Sequence, residues 1–186
     1  RNRCHIGVGA FNLVRASVYR QIDGHRRIRL RPDDDLKLGK IVKDAGYRQQ
    51  FAYGHELISV QWYGSVWEMV VGLEKNLFAG SDYRIGATLG GIAGGLILFV
   101  WPYLALILTS GTIQLLSLLS VFTLSLLLWI SARRFNTTGW QLIGFPFAVV
   151  LLCAISLRTM TLNLLQGGII WRGTFYSLAE LRKNRV

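Results

Sequence analysis

The stretch Ile85–Leu108, IGATLGGIAGGLILFVWPYLALIL, decides the architecture because none of its 24 residues carries a charge. At about 1.5 Å of rise per residue, a helix of this length crosses a hydrocarbon core of about 30 Å. A second uncharged run, Thr112–Ala132, follows after a short polar connection. We expect both runs to form transmembrane helices, which excludes a single soluble domain.

A third apolar run, Leu142–Leu157, is interrupted by Arg158 and continues more weakly, so its membrane segment is placed at 142–165. A single span here would put the basic tail on the side that the positive-inside rule disfavours. A re-entrant pair of half-helices would return the tail, with Arg158 near the turn. The sequence leaves both arrangements open. Arg158 itself either snorkels to a lipid headgroup or pairs with a ligand or an internal carboxylate.

Charge divides the chain into two different halves. Residues 1–84 contain 14 Lys or Arg and 9 Asp or Glu, whereas residues 85–186 contain 7 and 1. A composition that is 52% hydrophobic excludes intrinsic disorder. Arg133 and Arg134 close the second apolar run, and the positive-inside rule places that end in the cytoplasm. We therefore predict a multi-pass protein of the cell membrane with a cytoplasmic first half.

The first half has the pattern of alternating short helices and strands. Arg15–Gln21 is predicted to be helical, and the apolar spacing within Asp35–Ala45 predicts a second helix. Gly46 follows as a helix C-cap. Tyr47–Tyr53 is then expected to be a strand. This alternation of short helices and strands indicates part of an α/β domain.

Three consecutive carboxylates, Asp33, Asp34 and Asp35, stand at the start of the second predicted helix. They are consistent with a helix N-cap and first-turn acids, which complement the helix dipole. A carboxylate held by backbone amides and opposed by neighbouring charge can also serve as a general base. The residues alone leave both interpretations open.

Ser59–Phe78 is predicted to be an amphipathic helix directly before the first apolar run. Its apolar stripe includes Tyr63, Trp67 and Val70. Aromatic residues at this position favour a helix lying in the membrane interface. An ordinary core helix is the alternative.

These features, in this order, resemble the C-terminal part of membrane-bound family-2 glycosyltransferases, in particular the lipid-glycosylating members that act on ceramide, hopanoids and carotenoids. The similarity is carried by Gly7-Val-Gly-Ala-Phe-Asn-Leu-Val-Arg15, Ile22-Asp-Gly-His25 and Asp34-Asp-Leu-Lys-Leu38, continuing to Ala45-Gly46-Tyr47. Trp171-Arg-Gly-Thr-Phe-Tyr176 resembles a segment that follows the last membrane helix in that family.

The resemblance implies roles for six residues. Asp35 matches the catalytic base of the family and Asp34 its neighbouring acid. On the acceptor and diphosphate side the candidates are Gly9, Ala10, Lys75 and Asn76. Lys75 would place positive charge toward a departing diphosphate. Gly72, Lys75 and Asn76 depart from the commonest form of the family motif on the interface helix.

The implied fold class is a partial α/β GT-A-like (nucleotide-diphospho-sugar transferase) domain followed by transmembrane α-helices. The expected organisation is residues 1–58 for the transferase part, 59–84 for the interface helix and linker, 85–170 for the membrane region and 171–186 for a basic tail. The implied activity is inverting transfer of a sugar from a nucleotide-sugar donor to a lipid-linked acceptor hydroxyl.

The same resemblance implies a divalent metal, Mg or Mn, held by an Asp-x-Asp motif. That motif has no counterpart in this chain, and we expect it to precede Arg1. No residue of the present sequence is assigned to the metal. The expectation is a fragment that lacks the donor-binding half and is inactive by itself.

A non-enzymatic alternative begins from four arginines in the first half, Arg26, Arg27, Arg29 and Arg31. Such a cluster attracts anionic lipid, and the protein would then be a membrane anchor. Nucleic acid is not expected as a partner, because acidic residues lie beside the arginines and no aromatic stacking pattern accompanies them. The two alternatives differ in whether a sugar nucleotide is consumed.

Overall fold

The computed structural model describes residues 4–54, 57–74, 76–171 and 173–183. These residues form two compact units, one from residues 1–84 together with 159–186, and the other from residues 85–158. The helices are α1 (Ala16–Gln21), α2 (Asp34–Asp44), α3 (Val66–Glu74), α4 (Leu77–Gly80), α5 (Ile85–Phe99), α6 (Trp101–Leu108), α7 (Gly111–Arg134), α8 (Gln141–Leu165) and α9 (Leu178–Lys183), with a 3₁₀ helix at Gly24–Ile28.

Two helices, α7 and α8, are long and apolar enough to cross a membrane. The prediction of helices over 112–132 and 142–165 is therefore confirmed. In the third apolar run the chain forms one continuous helix with Arg158 inside it, rather than two half-helices with Arg158 at a turn. Of the two arrangements that the sequence left open for this segment, the structure has the single helix.

The first apolar run is not the single straight helix that its length predicted. It forms α5 and α6, which meet at Val100 with a bend of 45°, so the pair is either one broken span or a re-entrant loop. Pro102 lies in the first turn of α6. Proline lacks the N–H that would continue the helical hydrogen bonds and its ring clashes with the preceding turn, which explains a break at this point.

The expected α/β transferase domain is not confirmed. Among the described residues before Ile85 the structure has helices and loops, and Tyr47–Tyr53 is irregular rather than a strand. A strand needs a neighbour to take its backbone N–H and C=O groups, and the described part of this half supplies none. The described sheet is the antiparallel hairpin of β1 (Gly168–Trp171) and β2 (Thr174–Ser177), formed by the segment that resembled the family motif.

The predicted interface helix begins later than expected, at Val66 instead of Ser59. The Ser65 hydroxyl accepts a hydrogen bond from the Glu68 N–H at 3.1 Å, and the Glu68 carboxylate accepts one from the Gly64 N–H at 2.7 Å. This reciprocal pattern is a capping box displaced by one residue, and it fixes the helix start. Trp62 and Trp67 remain about two-thirds exposed, at 66% and 64%.

Two apolar clusters hold the first unit together. One joins the residues between α1 and α2 to the inner face of α2, and its buried members are Ile22, Ile28, Leu38, Ile41 and Val42. The other joins α4 to the end of α8, the hairpin and α9, and its buried members are Phe78, Ala79, Tyr83, Met160, Ile169, Leu178 and Leu181. The C-terminal residues thus pack into a core instead of forming a detached tail.

Candidate functional site

An open groove of about 450 Å³ lies beside the N-terminal end of α2. Its lining includes Gly9, Tyr19, His25, Asp34, Asp35 and Leu38. The structure therefore brings together three of the predicted site residues, Gly9, Asp34 and Asp35. It also adds Tyr19 and His25, which the sequence did not single out as site residues.

Glycines allow the N-terminal segment to lie directly on α2. A Cβ placed on Gly7 would come within 1.9 Å of the Asp35 carbonyl oxygen, and one on Gly39 within 1.9 Å of the Ile6 carbonyl oxygen. Both contacts are with backbone, which cannot move aside as a flexible side chain can. Gly7 and Gly39 thus allow close backbone packing, and this packing places Val8 and Gly9 in one wall of the groove.

The Gln49 side chain supplies the hydrogen bonds that a neighbouring strand would give this segment. Its Oε1 accepts from the Ile6 N–H at 3.2 Å, and its Nε2 donates to the Ile6 carbonyl at 3.2 Å. The same Nε2 donates to the Gly39 carbonyl at 2.7 Å. One amide therefore satisfies backbone groups on both the segment and α2.

The Asp35 carboxylate faces the glycine wall of the groove. Its Oδ2 lies 2.9 Å from the position that a Cβ on Gly9 would occupy, so a larger residue there would collide with it. Its Oδ1 accepts a hydrogen bond from the Leu36 N–H at 2.7 Å. Asp34 Oδ1 accepts from the Asp35 N–H at 3.0 Å. Within the described ranges neither acid forms an ion pair, so both retain acceptor capacity toward the groove.

Tyr19 and His25 form a hydrogen-bonded pair on the lining of this groove, with 2.7 Å between Tyr19 Oη and His25 Nδ1. The pair depends on Gly24, whose φ is +49° and whose added Cβ would lie 2.4 Å from the Tyr19 ring. The turn at Asp23-Gly24 therefore brings His25 back onto α1.

Asp33 has a different role from its two neighbours. It is the N-cap residue of α2 but makes no side-chain cap hydrogen bond. Its carboxylate instead accepts two hydrogen bonds from Arg31, Nε to Oδ1 at 2.8 Å and Nη2 to Oδ2 at 2.9 Å. The acidic run is thus divided between one buried structural carboxylate and two carboxylates that line the groove.

Arg31 lies at the centre of a buried ionic cluster with Asp33, Lys37 and Asp82. Its side chain is fully buried, and its Nη2 also donates to the Ala79 carbonyl at 3.0 Å and to Asp82 Oδ1 at 2.9 Å. Lys37 Nζ donates to the same Asp82 oxygen at 3.0 Å. The expectation that Arg31 belongs to a solvated, lipid-binding arginine cluster is therefore wrong.

The cluster shifts the ionisation of its members. Burial alone would raise the pKa of Asp82, but the hydrogen bond and charge of Lys37 together with the charge of Arg31 outweigh it and hold that pKa below its usual range. Burial raises the pKa of the Tyr83 hydroxyl. Asp82 and Tyr83 both have positive φ, 52° and 56°, a costly conformation that the surrounding contacts maintain.

Two of the remaining predicted site residues, Ala10 and Asn76, are not in the described lining of the groove. Ala10 is an exposed turn residue beside it and is not part of its lining. Asn76 is the N-cap residue of α4, and its buried Oδ1 has no hydrogen-bond partner in the described structure. Lys75 lies outside the described residues. The structure thus supports half of the six predicted site residues as neighbours.

Metal-ligating side chains were sought in the part of the chain that the structure describes. Within it, no group of three or more His, Cys, Asp or Glu side chains is arranged to hold a metal ion. Asp34 and Asp35 provide carboxylates but no third ligand. The resemblance places the divalent ion on an Asp-x-Asp motif that is expected to precede Arg1, so no residue of this chain is given a metal-binding role.

Sequence signals existed for some of what was missed. The pattern Ser65-x-x-Glu68 marks a helix start, and the spacing of Tyr19 from Gly24-His25 marks a turn folding back on a short helix. The partnership of Arg31 with Asp82 spans 51 residues and has no local signal.

Comparison of the chain with models of protein families, with curated proteins and with solved structures gives no match.

Proposed function

We propose that this chain forms the acceptor side and membrane part of an inverting glycosyltransferase that uses a nucleotide-sugar donor and a lipid acceptor. The single observation that supports this proposal most is the position of Asp35. Its carboxylate faces an open groove, has no ion-pair partner among the described residues, and is held at the start of α2.

In the proposed reaction Asp35 acts as the general base. The acceptor hydroxyl oxygen attacks the anomeric carbon of the sugar while the bond from that carbon to the diphosphate oxygen breaks. The electron pair of that bond leaves with the nucleoside diphosphate, and the acceptor proton passes to the Asp35 carboxylate. Such proton transfer contributes about 10²- to 10⁴-fold to a rate.

Asp34 and the glycine wall have supporting parts in this proposal. Asp34 accepts the Asp35 N–H and thereby fixes the backbone that carries the base. Gly9 leaves room beside the Asp35 carboxylate, which a side chain would fill. Lys75, Asn76 and Ala10 remain predictions for the acceptor and diphosphate side.

A lipid acceptor is supported by the surface as well as by the apolar helices. Trp62, Val66 and Trp67 are all more than 60% exposed at the start of α3. Exposed tryptophans beside apolar residues are typical of segments that lie at a membrane interface. This segment precedes the first apolar run in the chain, and α4 lies between the two.

The test measures sugar transfer in membranes from cells that express the complete protein carrying this sequence. Radiolabelled UDP-glucose, UDP-galactose and GDP-mannose are supplied in turn, and incorporation into the lipid-extractable fraction is measured. Asp35→Asn is expected to lower the rate by about 10²-fold or more because it removes the base. Asp35→Glu should retain part of the activity.

Asp44→Asn is the matched control, because Asp44 is an exposed acid at the opposite end of the same helix. It is expected to leave the rate unchanged. Equal rates for Asp35→Asn and the unmodified protein would refute the assignment of the base. Absence of incorporation from every donor would count against glycosyl transfer itself.

A further inference from the structure

A second open groove, of about 470 Å³, lies on the first unit away from the acidic residues of α2. Its lining is Arg26, Arg27, Arg29, Leu30, Glu180 and Lys183. The arginines come from the 3₁₀ helix and the residue after it, whereas Glu180 and Lys183 come from α9, more than 150 positions later in the chain. Only the folded chain assembles this set.

We propose that this groove binds the phosphate headgroup of an anionic phospholipid. Within the described ranges four cationic side chains line it, Glu180 is the acid in its lining, and Asp23 pairs with Arg26. The Arg26–Asp23 pair is long, at 3.4 Å, and its side chains are 85% and 57% exposed, so it neutralises little. Four cations against two acids leave a net charge of +2.

Glu180 is already engaged, which reduces its repulsion of an anion. Its Oε2 accepts hydrogen bonds from the Ser177 N–H at 3.1 Å and from the Ser177 hydroxyl at 3.0 Å. The Ser177 hydroxyl also accepts from the Glu180 N–H at 3.3 Å, so the two residues form the capping box of α9. Lys183 is thereby presented from the last turn of a capped helix.

Several features favour a phospholipid over a soluble phosphate or a nucleic acid. Leu30 adds an apolar surface among the cations, which matches the junction between a headgroup and its acyl chains. Among the described residues no aromatic side chain lines the groove, and stacking on aromatic rings is the usual means of binding single-stranded nucleic acid. The chain also contains helices long and apolar enough to cross a membrane.

The structure changes which residues belong to this site. Arg31, which adjoins the arginine run in sequence, is buried in the ionic cluster and is excluded. Lys183, which no sequence pattern connects with the run, is included. Arg182 is excluded as well, because its guanidinium donates to the Tyr83 carbonyl at 3.2 Å. This lipid site does not depend on the proposed glycosyl transfer.

The test uses the full chain purified in an uncharged detergent and titrated with phosphatidylglycerol or phosphatidylcholine in mixed micelles. Lipid retention is measured by native mass spectrometry. Each basic residue near an anionic lipid surface contributes about a fivefold change in binding. The triple variant Arg26→Gln, Arg27→Gln, Arg29→Gln should therefore weaken phosphatidylglycerol binding by about 100-fold, and Lys183→Gln alone by about fivefold.

The matched control is Arg20→Gln, Lys43→Gln, Arg48→Gln, which removes the same charge outside the groove. It should change binding less than twofold. The proposal is overturned if phosphatidylcholine binds as tightly, if the control triple loses as much, or if Lys183→Gln has no effect. Tighter binding of inorganic phosphate or of a short oligonucleotide, lost in the same triple variant, would also overturn it.

Discussion

Replacing Arg31 by methionine tests the buried ionic cluster. The change removes four hydrogen bonds, of 2.8, 2.9, 2.9 and 3.0 Å. It takes the Arg31 partner away from the Asp33 carboxylate, whose side chain is only 8% exposed. Breaking a buried pair by removing one partner costs about 3–5 kcal/mol. Lys37 Nζ lies 3.8 Å from Asp33 and still bonds Asp82, so the lower figure, about 3 kcal/mol, is expected.

Hydrogen–deuterium exchange of the α2 amides in the detergent-solubilised chain measures this loss. A loss of about 3 kcal/mol corresponds to exchange that is roughly 150-fold faster when exchange follows local opening. Arg29→Met is the matched control, because Arg29 is exposed and two positions away. It should change protection by less than about 0.5 kcal/mol.

A double variant, Arg31→Met with Asp33→Leu, separates a lost ion pair from lost packing. Removing the uncompensated carboxylate should restore part of the protection, since apolar replacement of a buried pair is often nearly neutral. Equal exchange rates in Arg31→Met and Arg29→Met would refute the reasoning. A double variant that is less protected than the single one would show that packing, not charge, dominates.

Three further predictions follow from the same structure. Gly39→Ala should destabilise the groove by about 1–3 kcal/mol, because the added Cβ would collide with backbone. Gly80→Ala should be neutral, because a Cβ there meets nothing within 4 Å. Chemical unfolding of the first unit distinguishes the two variants. The pKa of Asp82 is lowered in the folded chain. Its contribution to the free energy of unfolding is therefore present above the unfolded pKa of about 3.9 and is lost as pH falls through the lower folded pKa. Unfolding measured from about pH 5 to 2 should show this dependence, and Asp82→Asn should abolish it. Pro102→Ala should straighten the 45° bend between α5 and α6, lengthening a spin-label distance across it by about 2–3 Å; an unchanged distance would exclude proline as the cause.

The acidic run shows how far local sequence could lead. Apolar spacing and a C-capping glycine were sufficient to predict α2, which the structure has at Asp34–Asp44 with Gly46 at φ +87°. The same pattern could not divide the three carboxylates between structure and groove. That division depends on Asp82, which meets Arg31 and Lys37 only after folding.

Strand prediction failed for a related reason. Tyr47–Tyr53 has a composition suited to a strand, but a strand is stable only when another strand or an equivalent set of polar groups takes its hydrogen bonds. The Gln49 side-chain amide instead hydrogen-bonds to the backbone of Ile6 and Gly39. Within the described residues no strand pairs with Tyr47–Tyr53, so this segment does not form the strand that its composition favours.

Sequence by itself determined that the apolar runs are helical, because about 20 uncharged residues in a row leave the backbone few alternatives in a hydrocarbon environment. The break between α5 and α6 and the start of α3 at Val66 were not predicted. Tertiary structure alone decided that Arg31 is buried, that Tyr19 and His25 share a groove with Asp35, and that Lys183 joins Arg26 and Arg29. Those partnerships are set by packing between residues far apart in the chain, which no local pattern encodes.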